Sequence, residues 1–454
     1  MPLTAAFHRV SHTEPRGISG SVLSLRGLTL LVADFPVPVG SIVEVHSTHG
    51  AQPAEVVGFD GARTIVMLLG HTAGIRAGDR VVARESTPSI PVSDHMLGRV
   101  VNAFGAPIDA GPPIRDTIPR PIIPPPIGAM ARSPIRTALP TGVRAIDAMT
   151  PIGRGQRLGL FAGPGVGKST LLAMIARNAA SEVNVIAMIG ERGREVRDFI
   201  QHALGAEGLA RSVVVVSTSD ESPLARVRAA QGACAIAEHF RDRGKDVLLM
   251  LDSVTRFAHA QRQIGLAVGE PPATRGYTPS VFAALPVLLE RAGAVDGTGS
   301  ITAFYTVLVE GDDMTEPVAD AVRGILDGHI MLSRHLAQRA HYPAIDVLDS
   351  VSRLAEEIAT EEHKGARREA QRLLAAYKDI EELLQIGAYT HGSNPEADRA
   401  IALKPHLDAL LNQTVDESAP FEQTIKTLVS IAQTPHQARQ QSQIKNLRNP
   451  ARAR

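Results

Sequence analysis

Three glycines, a lysine and two hydroxyl-bearing residues lie together in the segment GPGVGKST, residues 163–170. Glycine has no Cβ, so the backbone N–H groups of such a segment can turn towards phosphate oxygens. Lys168 can reach the β- and γ-phosphates of a nucleotide, and the Ser169 hydroxyl can bind Mg²⁺. The spacing therefore predicts a phosphate-binding loop. Its predicted nucleotide-binding residues are Gly163, Pro164, Gly165, Val166, Gly167, Lys168, Ser169 and Thr170.

The residues on either side of this segment favour the same prediction. The apolar run from Leu158 to Ala162 is typical of a buried strand, and a helix-forming stretch begins at Lys168. The N-terminal end of a helix carries the positive end of its dipole and attracts anions. The strict motif begins with glycine where this chain has Ala162. Because alanine is also small, we expect the loop to form.

Two carboxylates end apolar, strand-like runs elsewhere in the sequence. Asp252 ends the run DVLLMLD, and Glu191 ends the run NVIAMIGE. Nucleotide hydrolysis needs Mg²⁺ and a group that orients the attacking water. Asp252 is the candidate for holding Mg²⁺ through a bound water, while either Asp252 or Ser253 can also cap the helix that follows. Glu191 is the candidate for polarising the attacking water, although its position alone is also typical of a solvated charge.

The composition of the chain limits its function only loosely. Its 454 residues include 47 basic and 47 acidic side chains, so the net charge does not favour a nucleic-acid binder. Cys234 is the single cysteine, so an intrachain disulfide is excluded and a reducing compartment is favoured. No apolar run approaches the roughly 18 residues of a membrane-spanning helix, and the first residues lack the apolar core of a signal peptide. We expect a cytoplasmic protein.

The pattern of the sequence predicts three folded domains. Residues 18–85 contain short apolar strands separated by turns, which favours a small closed β barrel. Residues 86–355 contain a Pro-rich connector at 110–140 and then alternate apolar strands with helices, which favours an α/β domain with a mostly parallel sheet. Residues 356–440 show helical periodicity and predict an all-α domain. The remaining segments, 1–17 and 441–454, are predicted to be tails.

Several separate strings, taken together, carry a resemblance to a known family. GPGVGKST, IGERGREV, LLMLDSVTRFA and PAIDVLDSVS resemble the ATP synthase alpha/beta family. Within that family, GEPPATRGYTPSVFAALPVLLERAG and VEGDDMTEPVADAVRGILDGHIMLSR resemble the type III export ATPases. The run YKDIEELLQIGAYTHGSNPEADRAI resembles the flagellar export ATPases, also called flagellum-specific ATP synthases. The similarity covers about residues 18–435, with the motifs in the family's order.

The resemblance implies roles for individual residues. Glu191 matches the catalytic glutamate, and Arg192 matches an arginine near the γ-phosphate. Tyr342 matches the aromatic residue that packs on adenine, and the π face of tyrosine suits a planar base. Arg353 matches the arginine finger that a neighbouring subunit supplies. The implied catalytic set is Lys168, Glu191, Arg192 and Arg353, and the implied Mg²⁺ ligands are Ser169 and Asp252.

The resemblance also implies an architecture and a cellular role. The fold would be an N-terminal β barrel, a RecA-like α/β core and a C-terminal helical domain. The chain would assemble into a homohexamer as its concentration rises, and would use ATP with Mg²⁺ to unfold or release exported proteins. The implied partners are those substrates and their chaperones, stalk and regulator proteins, and a membrane-embedded export gate, with no nucleic acid. The protein would then be cytoplasmic and peripheral to the inner face of the cytoplasmic membrane.

Other functions are compatible with the same core. A virulence-type secretion ATPase shares the string DDMTEPVAD. In a rotary ATP synthase or a vacuolar-type ATPase, catalytic and non-catalytic chains alternate, so one chain would not need both Glu191 and Arg353. A hexameric RNA helicase needs an RNA-binding domain with exposed aromatic residues, and the predicted barrel has few. A non-catalytic assembly subunit would be expected to lack Lys168 or Glu191, and both are present.

Overall fold

A computed structural model describes residues 17–85, 87–309 and 313–434. The chain forms two compact units. The first unit contains the residues up to 134, 155–164 and 181–326, and the second contains 135–154, 165–180 and the residues from 327 onward. Of the two predicted tails, residues 1–16 and 441–454 lie outside the described residues. In the described ranges, no helix is both long enough and apolar enough to cross a membrane.

The first unit begins with a closed, antiparallel barrel of six strands. The strands are β1 (Ser19–Arg26), β2 (Thr29–Ala33), β3 (Ile42–Ser47), β4 (Gly50–Asp60), β5 (Arg63–Leu68) and β6 (Arg80–Glu85). They pair in the order β1-β2-β5-β4-β3-β6. Alternate side chains point inwards, as in β3, where Val43 and Val45 are fully buried. Closure leaves no unpaired strand edge, and the barrel predicted from the sequence is confirmed.

Three short strands follow the barrel in the Pro-rich part of the first unit. They are β7 (Ser89–Val92), β8 (Val100–Val101) and β9 (Ile118–Pro121). Strands β7 and β9 form their own antiparallel pair, in which Pro91 lies opposite Pro119. Proline cannot donate a backbone hydrogen bond, so these residues suit a small two-stranded sheet better than a central strand of a larger one.

A parallel sheet forms the core of the first unit. Its other strands are β10 (Arg157–Ala162), β11 (Val183–Glu191), β12 (Ser212–Thr218), β13 (Asp246–Asp252), the short β14 (Gly293–Ala294) and β15 (Ser300–Leu308). The order β10-β15-β13-β11-β12-β8 is parallel throughout, and β14 adds to β15 in the antiparallel direction. Strand β13 is buried from Val247 to Asp252, as expected where helices cover both faces of a sheet.

The described residues also form thirteen α-helices. In chain order they are α1 (Arg144–Met149), α2 (Lys168–Asn178), α3 (Gly193–Asp198), α4 (Gly205–Ala210), α5 (Pro223–Arg241), α6 (Val254–Ala267), α7 (Pro279–Leu289), α8 (Pro317–Ile325), α9 (Arg334–Gln338), α10 (Ala355–Ile358), α11 (Glu361–Gln385), α12 (Pro395–Leu411) and α13 (Phe421–Gln433). A π-helical segment, Phe199–Leu204, joins α3 to α4. Short 3₁₀ turns occupy Asp94–Met96, Ala129–Ala131 and Thr274–Gly276.

The second unit combines a β hairpin with a set of helices. The hairpin pairs β16 (Gly328–Leu332) with β17 (Ile345–Ser352) in the antiparallel direction. Helix α11 buries Ala366, Ala370 and Leu373 on one face, which is the helical spacing expected from its sequence. The imidazole Nε2 of His363 lies 2.8 Å from the carbonyl oxygen of Ala148 and links α11 to α1. The predicted all-α C-terminal domain is confirmed.

Candidate active site

The predicted phosphate-binding loop connects β10 to α2. Gly165 and Gly167 have φ angles of +78° and +93°, a region that favours glycine. Gly167 is the N-cap residue of α2, where no side chain accepts a hydrogen bond, and the first turn of α2 has no acidic residue. The N–H groups at the start of α2 therefore have no side-chain cap and suit an anion.

The side chains of the loop differ in their exposure. Val166 is buried, and Lys168 is half-buried at the first position of α2. Ser169 and Thr170 are exposed, as are Pro164 and Gly165. The hydroxyl groups of the first helical turn are thus accessible to a bound nucleotide.

Asp252 ends β13 in the first unit and is only 3% exposed. The Thr306 hydroxyl, on the neighbouring strand β15, donates a hydrogen bond of 2.7 Å to one Asp252 carboxylate oxygen. Thr306 is completely buried. The Ser253 hydroxyl accepts a hydrogen bond of 3.3 Å from the backbone N–H of Arg256. Ser253 is therefore the N-cap of α6, which decides the alternative that the sequence left between Asp252 and Ser253.

Glu191 ends β11, next to β13 in the same sheet, and is half-buried. Its backbone carbonyl accepts a hydrogen bond of 3.0 Å from the N–H of Ser219. Because β11 and β13 are parallel, Glu191 and Asp252 lie at the carboxyl ends of neighbouring strands, the edge where α/β proteins bind ligands. Arg192 is exposed and its guanidinium contacts the Glu195 carboxylate at 2.8 Å. An exposed pair of this kind is worth about 0–1 kcal/mol, so Arg192 can exchange it for another anion.

A cavity of about 580 Å³ lies within the second unit, beside the predicted loop. Gly165, Gly167 and Thr170 line one side of it, and Tyr342 with residues 412–415 lines another. Tyr342 is 44% exposed, and its hydroxyl donates a hydrogen bond of 3.2 Å to the carbonyl oxygen of Ala337. A Cβ atom placed on Gly167 would lie 3.9 Å from the tyrosine ring. The cavity has the size of a small-molecule site, and the structure places Tyr342 beside the loop.

Arg353 follows β17 directly and is exposed. Its backbone N–H donates a hydrogen bond of 3.0 Å to the carbonyl oxygen of Asp327. Its side chain does not line the cavity beside Tyr342. Within the described part of the chain, no group of three or more His, Cys, Asp and Glu side chains could hold a metal ion.

Comparison with known proteins identifies the family. A family model described as the nucleotide-binding domain of the ATP synthase alpha/beta family matches residues 142–352. The flagellum-specific ATP synthase of Treponema pallidum is 53% identical over 430 residues, which cover 93% of this chain and 96% of that protein. The chain belongs to the ATP synthase alpha/beta family.

Further matches show that the chain is similar to export ATPases of this family. A model described as the T3SS EscN ATPase C-terminal domain matches residues 359–430. The type 3 secretion system ATPase of Xanthomonas euvesicatoria is 48% identical, over 91% of this chain and 93% of that protein. The assembled ATPase EscN from the enteropathogenic E. coli type III secretion system has a TM-score of 0.86 at 41% identity, covering 91% of this chain and 100% of that one. EscN in complex with its central stalk EscO gives a TM-score of 0.84, with 41% identity over 91% of this chain and 100% of that one.

These matches confirm the family and the fold class predicted from the sequence. The roles of single residues stay predictions, since neither the geometry nor the matches test them. The sequence analysis missed two buried residues that contact predicted site residues. The Thr306 hydroxyl donates a hydrogen bond to the Asp252 carboxylate, and the Gln413 backbone N–H donates one to the Tyr342 carbonyl oxygen. Each makes its contact across a long interval of sequence, so no local motif marks it.

The first prediction concerns the hydrogen bond between Thr306 and Asp252. Thr306→Val keeps the shape of the side chain but removes a donor from a buried carboxylate. We expect the free energy of unfolding to fall by about 1–3 kcal/mol, measured by urea unfolding with circular dichroism. Thr306→Ser keeps the hydroxyl and should lose less stability than Thr306→Val, although it removes a buried methyl group. Thr298→Val, at an exposed threonine, serves as the control. Wild-type stability of Thr306→Val would show that this hydroxyl does not support Asp252.

Proposed function

We propose that the chain hydrolyses MgATP to power flagellar-type protein export. The observation that carries the proposal is the cavity beside Tyr342, which is lined by the glycines of the phosphate-binding loop. A phosphate-binding loop and an aromatic platform in one cavity fit the two ends of a nucleotide. Membership of a family of ATPases and export ATPases supports both the reaction and the biological role. The chain is an ATPase of the flagellar and type III export class.

The loop and the start of α2 are proposed to bind the phosphates of ATP. The backbone N–H groups of residues 163–170 donate hydrogen bonds to phosphate oxygens, and Lys168 adds a positive charge at the β- and γ-phosphates. Tyr342 is proposed to pack on the adenine. Because Gly165 and Gly167 have positive φ angles, substitution at either position would strain the backbone and disturb the direction of these N–H groups.

Ser169 and Asp252 are the residues proposed to hold Mg²⁺. An exposed hydroxyl and a carboxylate oriented by Thr306 provide the oxygen ligands that this ion prefers. Ser169 would bind Mg²⁺ directly and Asp252 through a bound water, a small protein contribution that fits an ion bound together with nucleotide phosphates. When bound, Mg²⁺ neutralises negative charge on the phosphates.

Glu191 is proposed to orient the attacking water and to accept its proton. The water oxygen forms a bond to the γ-phosphorus while the bond from that phosphorus to the β,γ-bridging oxygen breaks, which gives ADP and phosphate. Arg192 and Arg353 are proposed to stabilise negative charge on the γ-phosphate. The exposed position of Arg353, away from the lining of the cavity in its own unit, supports a role towards a neighbouring subunit.

The partners are proposed from the relatives and their assemblies. EscN is described as assembled and as bound to a central stalk, EscO, which supports a homohexamer and a stalk partner here. Exported proteins, their chaperones, regulator proteins and the membrane export gate are further proposed partners. We place the protein in the cytoplasm, peripheral to the inner face of the cytoplasmic membrane. We also keep the predicted domain boundaries, 18–85, 86–355 and 356–440, as part of the proposal.

A virulence-type secretion ATPase is the second candidate. The 48% identity to the Xanthomonas relative favours it almost as strongly as the 53% identity to the Treponema relative favours the flagellar role. Expression of the chain in strains that lack one or the other export ATPase separates the two. Restored motility supports the flagellar role, whereas restored effector secretion without motility would support the second candidate.

The second prediction concerns Glu191. Glu191→Gln should keep MgATP binding but lower kcat by roughly 10²–10⁴-fold, because an amide has the same shape and is a far weaker base. Phosphate release gives kcat, and calorimetry gives the affinity for MgATP. The matched control is Glu182→Gln. Glu182 immediately precedes the first residue of β11, and its carboxylate accepts a hydrogen bond from Lys245. Hydrolysis within about twofold of wild type would assign the base to another carboxylate.

The third prediction concerns Arg353 acting between subunits. Arg353→Ala should bind ATP yet lose turnover, since an arginine supplied by a neighbour can contribute roughly 10³–10⁵-fold. Lys168→Ala should lose tight MgATP binding. Mixed assemblies of the two variants should regain activity, because some interfaces combine an intact Lys168 with an intact Arg353.

The control for this experiment is the same mixture diluted below the concentration at which particles assemble, where no activity should return. Labelled chains verify that mixed particles form. If mixed particles form and remain inactive, Arg353 does not act across a subunit interface.

A further inference from the structure

Gln413 satisfies all of its amide hydrogen-bonding groups inside the second unit, where it is only 3% exposed. Its side-chain Nε2 donates to the carbonyl oxygens of Gly142 and Glu417, each at 2.8 Å. Its Oε1 accepts from the backbone N–H of Arg144, also at 2.8 Å. Three such bonds hold the glutamine in one orientation. The side chain therefore ties the segment after α12 to residues 142–144.

The backbone of the same residue holds Tyr342. The Gln413 N–H donates a hydrogen bond of 2.8 Å to the Tyr342 carbonyl oxygen. The adjacent Asn412 carboxamide oxygen accepts from the Tyr342 N–H at 3.4 Å. Tyr342 is thus held on both sides of its Cα by residues 412 and 413. Any shift of this segment moves the tyrosine that faces the cavity.

Residues 140–144 are in turn fixed to the far end of α2. The N–H of Ala180, just past that end, donates to the Pro140 carbonyl oxygen at 2.9 Å. Gly142 has a φ of +73°, and a Cβ there would lie 2.4 Å from the Cβ of Asn178, the last residue of α2. Only glycine permits this approach. Since α2 begins at the phosphate-binding loop, its opposite end provides a rigid reference point for that loop.

The turn that contains Gly142 has its own support. The Asp147 carboxylate accepts hydrogen bonds from the Thr141 N–H at 2.9 Å and hydroxyl at 2.7 Å, and from the Gly142 N–H at 3.0 Å. Burial raises the pKa of Asp147 to about 6, against these hydrogen bonds, which lower it. At pH 8 the carboxylate is ionised and accepts all three bonds. The residues that Gln413 contacts are therefore well fixed under those conditions.

We propose that Gln413 is a positioning residue that sets the distance between the base-binding side chain Tyr342 and the phosphate-binding loop. The inference rests on the proposed nucleotide site but adds a residue whose side-chain hydrogen bonds are made to protein groups. Its side chain connects Tyr342, through residues 142–144, to the rigid helix that begins at the loop. The Arg144 side chain also donates to the carbonyl oxygens of Leu410 and Asn412. Loss of the Gln413 bonds therefore loosens the tyrosine side of the cavity without detaching it, and leaves the phosphate side unchanged.

Loss of the Gln413 hydrogen bonds should weaken the binding of ligands that contain the adenine base and spare ligands that lack it. Gln413→Met keeps the length of the side chain and removes its hydrogen bonds. At pH 8 we expect the KM for ATP to rise by roughly tenfold, the order set by losing a few buried hydrogen bonds. We expect kcat at saturating ATP, and the inhibition constant of tripolyphosphate, to stay within about twofold, since tripolyphosphate carries no base.

Two further variants make the test specific. Gln423→Met, at an exposed glutamine of α13, is the matched control and should behave as wild type. Gln413→Glu keeps the acceptor for Arg144 but places a buried carboxylate oxygen against the carbonyl oxygens of Gly142 and Glu417, so its KM should rise at least as far as that of Gln413→Met. It also serves if Gln413→Met does not fold, and an increase in its KM alone then supports the proposal.

The outcomes separate this inference from the proposed function. An unchanged KM for ATP in both Gln413 variants would overturn the positioning role, as would an equal weakening of ATP and tripolyphosphate. Absence of MgATP turnover in the wild-type chain would instead overturn the proposed function.

Discussion

The N–H groups at the start of α2 have no side-chain cap, and the proposed site depends on this feature. A helix begins with N–H groups that need partners from outside the helix. Here the N-cap residue is Gly167, which has no side chain to supply one, and the first turn carries no acid. A bound phosphate would satisfy these donors, and the helix dipole would favour its charge. The backbone can adopt this conformation because the two residues with positive φ angles, Gly165 and Gly167, are glycines.

The carboxylates of the first unit are positioned by a different constraint, the parallel sheet. Parallel strands place their carboxyl ends at one edge. Glu191 and Asp252 end the neighbouring strands β11 and β13, and Gly163 follows β10, which β15 separates from β13. A buried carboxylate needs donors, and Thr306 provides one to Asp252. The sheet therefore specifies where the two acids lie, and Thr306 on the adjacent strand β15 orients Asp252.

Much of this was predictable because the relevant residues are adjacent in sequence. The phosphate-binding loop lies in one continuous segment, and the barrel and sheet follow from alternating or continuous apolar runs. The contacts of Thr306 and Gln413 were not predictable, because they join residues 54 and 271 positions apart. The sequence also left open which residue caps α6, the helix that follows β13. Asp and Ser are both good caps, and only the contact from Arg256 to Ser253 distinguishes them.

The central claim is that a complete site forms only when chains assemble. The direct test measures specific ATPase activity across a range of wild-type protein concentrations, with the particle mass measured in the same samples. We predict that activity per chain rises cooperatively and in step with the appearance of six-chain particles. Constant activity per chain, at full strength in samples that contain only single chains, would contradict the account.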